Sequence, residues 1–254
     1  MSRRALSRIL TAGFCWLAVL MARPTQAQQY NSDSYLSKPH GMATIIMTAG
    51  DRNFMWMITA SLLPRWEFTT AAYVYDNDDD LKTDDGYSTS YYAKYMFYEN
   101  KAKTGGFAVK AGTGLDPGFL EEEIGPNDAF KTYWMNAPAT IPLFGNKLSW
   151  DLMPGASVTR EYGPGESSVG AFTYSTRMAW YVFSSESAIV GEVFGAEGGT
   201  TAIPEYRIGW RWEPSQHVVL ALTYGDEFNG DNGAGLEAGL MLFSPPFLCI
   251  GGCK

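Results

Sequence analysis

The stretch Asp76–Glu99 reads DNDDDLKTDDGYSTSYYAKYMFYE. Six aspartates crowd its first ten residues, and a tyrosine-rich alternating segment follows. Tyr87, Thr89, Tyr91, Ala93, Tyr95 and Phe97 share one side of an extended chain; Ser88, Ser90, Tyr92, Lys94, Met96 and Tyr98 share the other. A period of two is the signature of a strand. Taken alone, this strand fits a soluble sandwich as well as a membrane barrel.

The pattern recurs along the chain. Trp66, Phe68, Thr70, Ala72 and Val74 alternate with Glu67, Thr69, Ala71 and Tyr73, and Tyr206, Ile208, Trp210 and Trp212 alternate with Arg207, Gly209 and Arg211. Twelve strands are predicted, near 41–48, 53–62, 65–75, 87–98, 106–113, 131–142, 147–159, 169–182, 188–196, 205–212, 217–225 and 235–243. Their charges collect on one face: Arg65, Glu67, Lys94, Lys110, Asp151, Arg177, Glu192, Arg207, Arg211 and Glu237. Lipid imposes this asymmetry, because a basic side chain facing the bilayer midplane costs about 2–4 kcal/mol. The expected fold is therefore all-β, a transmembrane antiparallel up-and-down β-barrel of about twelve strands over residues 41–243, with those ten charges lining its lumen. The competing soluble sandwich would have to bury its apolar faces against each other and leave much of the charge outside.

Loop lengths are a second test. Connections near 63–64, 99–105, 143–146, 183–187 and 213–216 are short, and those at 76–86, 114–130, 160–168, 197–204 and 226–234 are longer. Short periplasmic turns and long extracellular loops alternate in this way. Asp76, Asp78, Asp79, Asp80, Asp84 and Asp85 then occupy an outward loop, and Glu121, Glu122 and Glu123 occupy another. Carboxylates in number can ligate calcium, but DNDDDLKTDDG lacks the sixth-place glycine and the closing glutamate of an EF-hand. A solvated loop at the lipopolysaccharide surface is the simpler reading, and no metal site is expected.

Residues 1–27 read as a cleaved signal peptide, with Arg3, Arg4 and Arg8 before the apolar run Leu10–Met21 and a small residue, Ala27, at the cut. Its removal takes four arginines and no acid, so the formal charge passes from −8 to −12. So acidic a chain is a poor partner for nucleic acid. Residues 28–40 read as a short periplasmic lead-in. The tail 244–254, SPPFLCIGGCK, carries Cys249 and Cys253. Export makes a disulfide between them a reasonable expectation; two free thiols or a metal are the alternatives.

The lumen charges read either as an ion-pair network that fills the barrel or as a pore lining. Tyr73, Tyr92, Tyr98 and Tyr181 are candidate stacking surfaces or fillers inside it. Hydrolysis would need a serine and a histidine in reach of one another. Only His40 and His217 exist, and neither has an evident serine partner. No enzyme activity and no cofactor are expected. Expected partners are membrane lipid and lipopolysaccharide, the outer-membrane assembly machinery and a small-molecule solute.

YYAKYMFYENKAKTGGFAVKAGTGLDPG, TRMAWYVFSSESAIVGEVFGAEGG and PEYRIGWRWEPSQHVVLALTYGDEFNGDNGAGLEAGLMLF resemble segments of the outer-membrane proteins of the meta-pathway phenol-degradation family. The resemblance spans about residues 65–243 and implies an outer-membrane channel or transporter, in some members for hydrophobic aromatic compounds. It implies no catalytic residues. One departure is the tail after Phe243, where such barrels end on an aromatic; a plug or a partner contact is one expectation for it, an unstructured tail the other. The expected function is passive passage of small solutes, apolar or aromatic ones included. The alternative is a structural or adhesive barrel closed by its own ion pairs, and a lipid-active enzyme ranks behind both.

Overall fold

A computed structural model describes residues 32–51, 53–75, 86–115, 130–160, 168–198, 202–229 and 233–248. The expected signal peptide, the acidic clusters at 76–85 and 121–123, and Cys249 and Cys253 lie outside the described residues.

Thirteen strand segments follow one another: β1 (Ala43–Gly50), β2 (Asn53–Leu63), β3 (Trp66–Tyr75), β4 (Gly86–Glu99), β5 (Gly106–Gly114), β6 (Thr132–Asn136), β7 (Ala139–Leu143), β8 (Leu148–Arg160), β9 (Ser168–Ser184), β10 (Ser187–Gly198), β11 (Ala202–Ser215), β12 (Val218–Glu227) and β13 (Gly235–Phe243). All pair antiparallel with their neighbours in the wall, and β6 and β7 do not pair with each other. β6 and β7 are halves of one stave, since both sit between β5 and β8. The break falls at Ala137-Pro138, where proline has no N–H to donate. The wall stays bonded across it: Ala108 N–H donates to the Pro138 carbonyl (2.8 Å) and Ala137 N–H to that of Pro154 (2.9 Å). The molecule is thus a twelve-stave barrel, and β1 closes it against β13 from Thr44↔Phe243 to Gly50↔Glu237. Closure leaves no unpaired edge, which hydrocarbon would not tolerate.

Burial follows the alternation. Along β9 the pattern is exposed at Phe172, Met178 and Trp180 and buried at Thr173, Ser175 and Arg177. Exposed apolar side chains cover the outside of nearly every strand, among them Phe54, Ile58, Phe68, Tyr91, Ile189, Ile208 and Leu222. Aromatic rings group towards both ends of the wall. Phe68, Trp66, Tyr95, Phe97 and Phe107 form a continuous run near the short turns. Tyr91–Phe130, Phe172–Tyr174 and Tyr206–Phe228 sit towards the long loops. Paired aromatic girdles around an apolar band belong to an outer-membrane barrel.

The short turns lie at 64–65, 100–105, 144–147, 185–186 and 216–217. The chain enters β1 and leaves β13 at this same end: Gly41 N–H donates to Ser61 O (2.7 Å), Ser244 N–H to Ala43 O (2.9 Å) and Phe247 N–H to Gly41 O (2.8 Å). The tail over Ser244–Leu248 therefore runs along the rim, with Pro245, Pro246 and Phe247 exposed. These described residues do not enter the lumen; the plug expectation for residues 249–254 lies outside the described residues.

Replacing Ile208, at the middle of β11 and 60% exposed, by arginine should lower stability in lipid vesicles by about 2–4 kcal/mol. Urea unfolding followed by tryptophan fluorescence measures this, and Ile208→Leu should leave the midpoint in place.

Candidate functional site

Among the described residues, buried charge concentrates in the barrel interior. Nine of the ten expected lumen residues are buried there: Glu67, Lys94, Lys110, Asp151, Arg177, Glu192, Arg207, Arg211 and Glu237. Arg65 is not among them. It sits in the turn between β2 and β3 at a φ of 68°, exposed, with its guanidinium 3.4 Å from the Phe97 carbonyl. Tyr98 is also outside. The ladder slips one residue between Met96 and Tyr98, so Phe97 and Tyr98 both face outward, as a bulge does. Tyr73 and Tyr92 are buried inside, and Tyr181 is half-buried.

Strand register arranges the charges. Asp151, Arg177, Glu192 and Arg207 are direct partners across β8, β9, β10 and β11, alternating in sign. Arg177 grips Asp151 Oδ2 with Nη2 (2.6 Å) and Nε (3.0 Å), and Thr140 donates to Oδ1 of the same carboxylate. Arg207 pairs with Glu237 (3.0 Å) and lies over the Phe194 ring. Nearer the short turns, Arg211 pairs with Glu213 (2.8 Å), which also accepts from the Tyr181 hydroxyl (2.8 Å). Buried pairs of this kind offset the cost of taking charge out of water only when well bonded on both sides.

On the β3–β4–β5 side the register is different. Glu67 faces Lys94, and Lys94 faces Lys110. Two like charges directly opposite are unfavourable. Lys94 binds Glu67 (2.7 Å), and Lys110 stands 5.5 and 5.6 Å from the Tyr92 and Trp134 ring centroids. A second carboxylate completes the group. It is Asp33, 3.2 Å from Lys94, and it belongs to no strand.

Residues 32–38, expected as a periplasmic lead-in, lie inside the barrel. Ser32, Asp33, Ser34, Tyr35, Ser37 and Lys38 are all buried. Ser32 N–H donates to Glu192, Tyr35 N–H to Thr140 Oγ1 (3.3 Å) and Lys38 N–H to Glu67 Oε1 (2.6 Å). Lys94 also donates to Leu36 O (2.8 Å), the Ser37 hydroxyl to Arg65 O (3.2 Å), and the Tyr35 hydroxyl meets Glu99 at 3.5 Å. Tyr35 packs on Met96 and Ala108. Gly106 makes room for it, since a Cβ there would sit 2.4 Å from the Tyr35 ring. Beside the segment, a cavity of about 350 Å³ near the short turns is lined by Tyr35, Leu36, Pro142, Leu148 and Tyr181.

Two groups of this segment have displaced titrations. Burial alone would raise the Asp33 carboxyl, but Lys94, Lys110 and Arg177 outweigh it and hold it below its usual value. Burial pushes the Lys38 ammonium down to about 7; Lys94 and Arg211 add to this, and Glu67 and Glu213 oppose it.

An apolar cluster lines another stretch of the lumen. Ile46, Met57, Val219, Met241 and Phe243 pack with Tyr73, Tyr92 and Trp134, with Met42 and Met55 against them. His217 is exposed at its turn, its ring meeting the Phe243 carbonyl (3.2 Å) and the Gln216 amide (3.2 Å). Among the described residues no group of three or more His, Cys, Asp or Glu is arranged to hold a metal.

Sequence reasoning missed Glu213, Asp33 and Lys38. Glu213 carries the same period-two signal as Arg211, two residues earlier, but Pro214-Ser215 reads as a turn and cuts the strand short. The segment around Asp33 has no periodicity to find.

No family model matches the chain, and no curated protein does. Solved structures match its fold. An outer membrane channel from Pseudomonas putida F1 aligns over 87% of this chain and 99% of its own, at 11% identity and a TM-score of 0.53. LpxR from Salmonella typhimurium aligns over 79% and 99% (11% identity, TM-score 0.41), and the CymD monoaromatic hydrocarbon channel over 81% and 88% (8% identity, TM-score 0.36). The first likeness shows the outer-membrane barrel fold; the other two carry no further weight.

Asp151→Ala should cost about 3–5 kcal/mol, because it leaves Arg177 charged and buried without its carboxylate. Asp151→Leu combined with Arg177→Met should recover most of that loss in urea unfolding.

Proposed function

We propose that this barrel is an outer-membrane channel for passive passage of small solutes, held shut by residues 32–38. The interior segment is the observation that carries this reading. A barrel needed only as a scaffold could fill its lumen with wall side chains; here a separate piece of chain does so through contacts that can be broken without touching a single ladder bond. The resemblance to the phenol-degradation family and the Met- and Tyr-lined half of the lumen favour uncharged, apolar or aromatic solutes over ions. Passage of this kind needs no catalytic group.

One observation favours the alternative of a permanently closed structural barrel. The interior charges are buried and paired with each other, as a sealed lumen would require. The two readings part on removal of the segment. Refolded into detergent and placed in a planar lipid bilayer near neutral pH, residues 28–254 should pass little current. The same chain without residues 28–38 should give discrete steps proportional to salt, since all twelve staves remain. A deletion chain that is folded and heat-modifiable yet passes no current would overturn the channel reading.

A further inference from the structure

The contacts that hold residues 32–38 in place share a chemistry. Ser32 N–H rests on Glu192, Lys38 N–H on Glu67 and the Tyr35 hydroxyl on Glu99. Tyr35 N–H rests on Thr140, which is itself bonded to Asp151. Asp33 bonds Lys94, whose other ion-pair partner is Glu67. Ionised carboxylates thus accept, or orient the acceptor of, most of the polar bonds between the segment and the wall. Apolar anchoring is slight, with Tyr35 and Leu36 packed on Met96 and Ala108.

We propose that residues 32–38 form an acid-released gate, held by Asp33 on the segment, which bonds Lys94, and by contacts to Glu67, Glu99 and Glu192 on the wall, and freed when Asp33 takes up a proton. This rests on the channel reading above and supplies its regulation.

The surrounding charges make release run in one direction. Asp33 is faced by Lys94 of β4, Lys110 of β5 and Arg177 of β9. Lys38 is faced by Glu67 of β3, Lys94 of β4, Arg211 and Glu213 of β11, and the Phe243 ring of β13 at 4.3 Å. Neutralising Asp33 leaves Lys94, Lys110 and Arg177 crowded in a space of low dielectric without its charge. Outside, Lys38 and Asp33 are solvated, and the wall cations gain room for water and counter-ions.

The titrations of the segment's own two groups agree in sign. Asp33, depressed by its cations, contributes to docking above the ordinary carboxylate range, and that contribution is lost as pH falls through its lowered value. Lys38 carries fewer protons docked than released between about 7 and 10.5, so its docking penalty grows as pH falls across that window and is constant below it. Both groups therefore favour release on acidification, Lys38 first and Asp33 later.

The test uses residues 28–254 with Cys249 and Cys253 replaced by serine. A nitroxide spin label on Ser34→Cys reports the segment directly, and planar-bilayer current reports the lumen. Between about pH 7.5 and a pH below 3.8, the ordinary aspartate value that docked Asp33 lies beneath, the label should pass from immobile to mobile, and the current of the unlabelled chain should rise roughly tenfold or more. Asp33→Asn, which keeps the shape and removes the charge, should move the current rise towards neutral pH. The chain without residues 28–38 should show at most a small pH dependence.

A label that stays immobile at acid pH overturns the gate, as does an equal acid rise in the deletion chain or an Asp33→Asn chain with an unshifted profile. The two readings fail separately. A mobile label with no current in either chain supports acid release and overturns the channel. An immobile label with current in the deletion chain supports the channel and overturns the gate.

Discussion

Lys94 and Lys110 face each other across the β4–β5 ladder, and much of the interior can be understood from the need to make that juxtaposition tolerable. A hydrogen-bonded register cannot be relaxed locally: moving either lysine by one residue would send it into lipid. The wall supplies part of the answer, with Glu67 bonded to Lys94 and the Tyr92 and Trp134 faces beside Lys110. The rest comes from Asp33, which sits where both ammonium groups act on it. The segment that fills the lumen therefore completes the electrostatics of the wall as well as occupying its space. The β8–β11 side has no such need, because its register already alternates Asp151, Arg177, Glu192 and Arg207 in sign.

This division gives the lumen two unlike halves. One is a charged belt whose members are locked by each other; the other is a sheet of methionine, tyrosine and small hydroxyl side chains. Water and ions gain little from the second surface, and apolar molecules gain little from the first. They meet where Lys110 lies beside the Tyr92 and Trp134 rings. The cavity beside Tyr35 and Tyr181 lies where the segment, the wall and the short turns come together, so its shape depends on the segment's position.

The strands were legible in the sequence because alternation is a property of the extended backbone itself. All twelve predicted staves are present, including the one broken at Pro138, and the closed all-β fold follows from them. Local exceptions were not legible. Arg65 carries the right residue type at a place where the chain turns, and Tyr98 obeys the alternation until a bulge one residue earlier inverts it. Partner choice was hidden for a different reason: which carboxylate meets which cation depends on stagger between strands, and stagger is set by closure of the whole ring. Ser32–Lys38 could not be recognised at all, since a short aperiodic polar segment looks the same in water as inside a barrel. Only the sum of its contacts distinguishes the two.

Residues 39–42 bend over the rim at the end that carries the short turns, and the tail from Ser244 runs beside them. The seam between β1 and β13 is the pairing most distant along the chain, and ordinarily the last contact of a barrel to form. The chain N-terminal to β1 passes over that seam's end, and no ladder bond blocks its path. The part of the described chain that comes first in the sequence can thus be the last to take its position, slipping into a vessel already sealed. Assembly of the wall would then proceed around a water-filled interior, and the exclusion of that water would be a separate, late step.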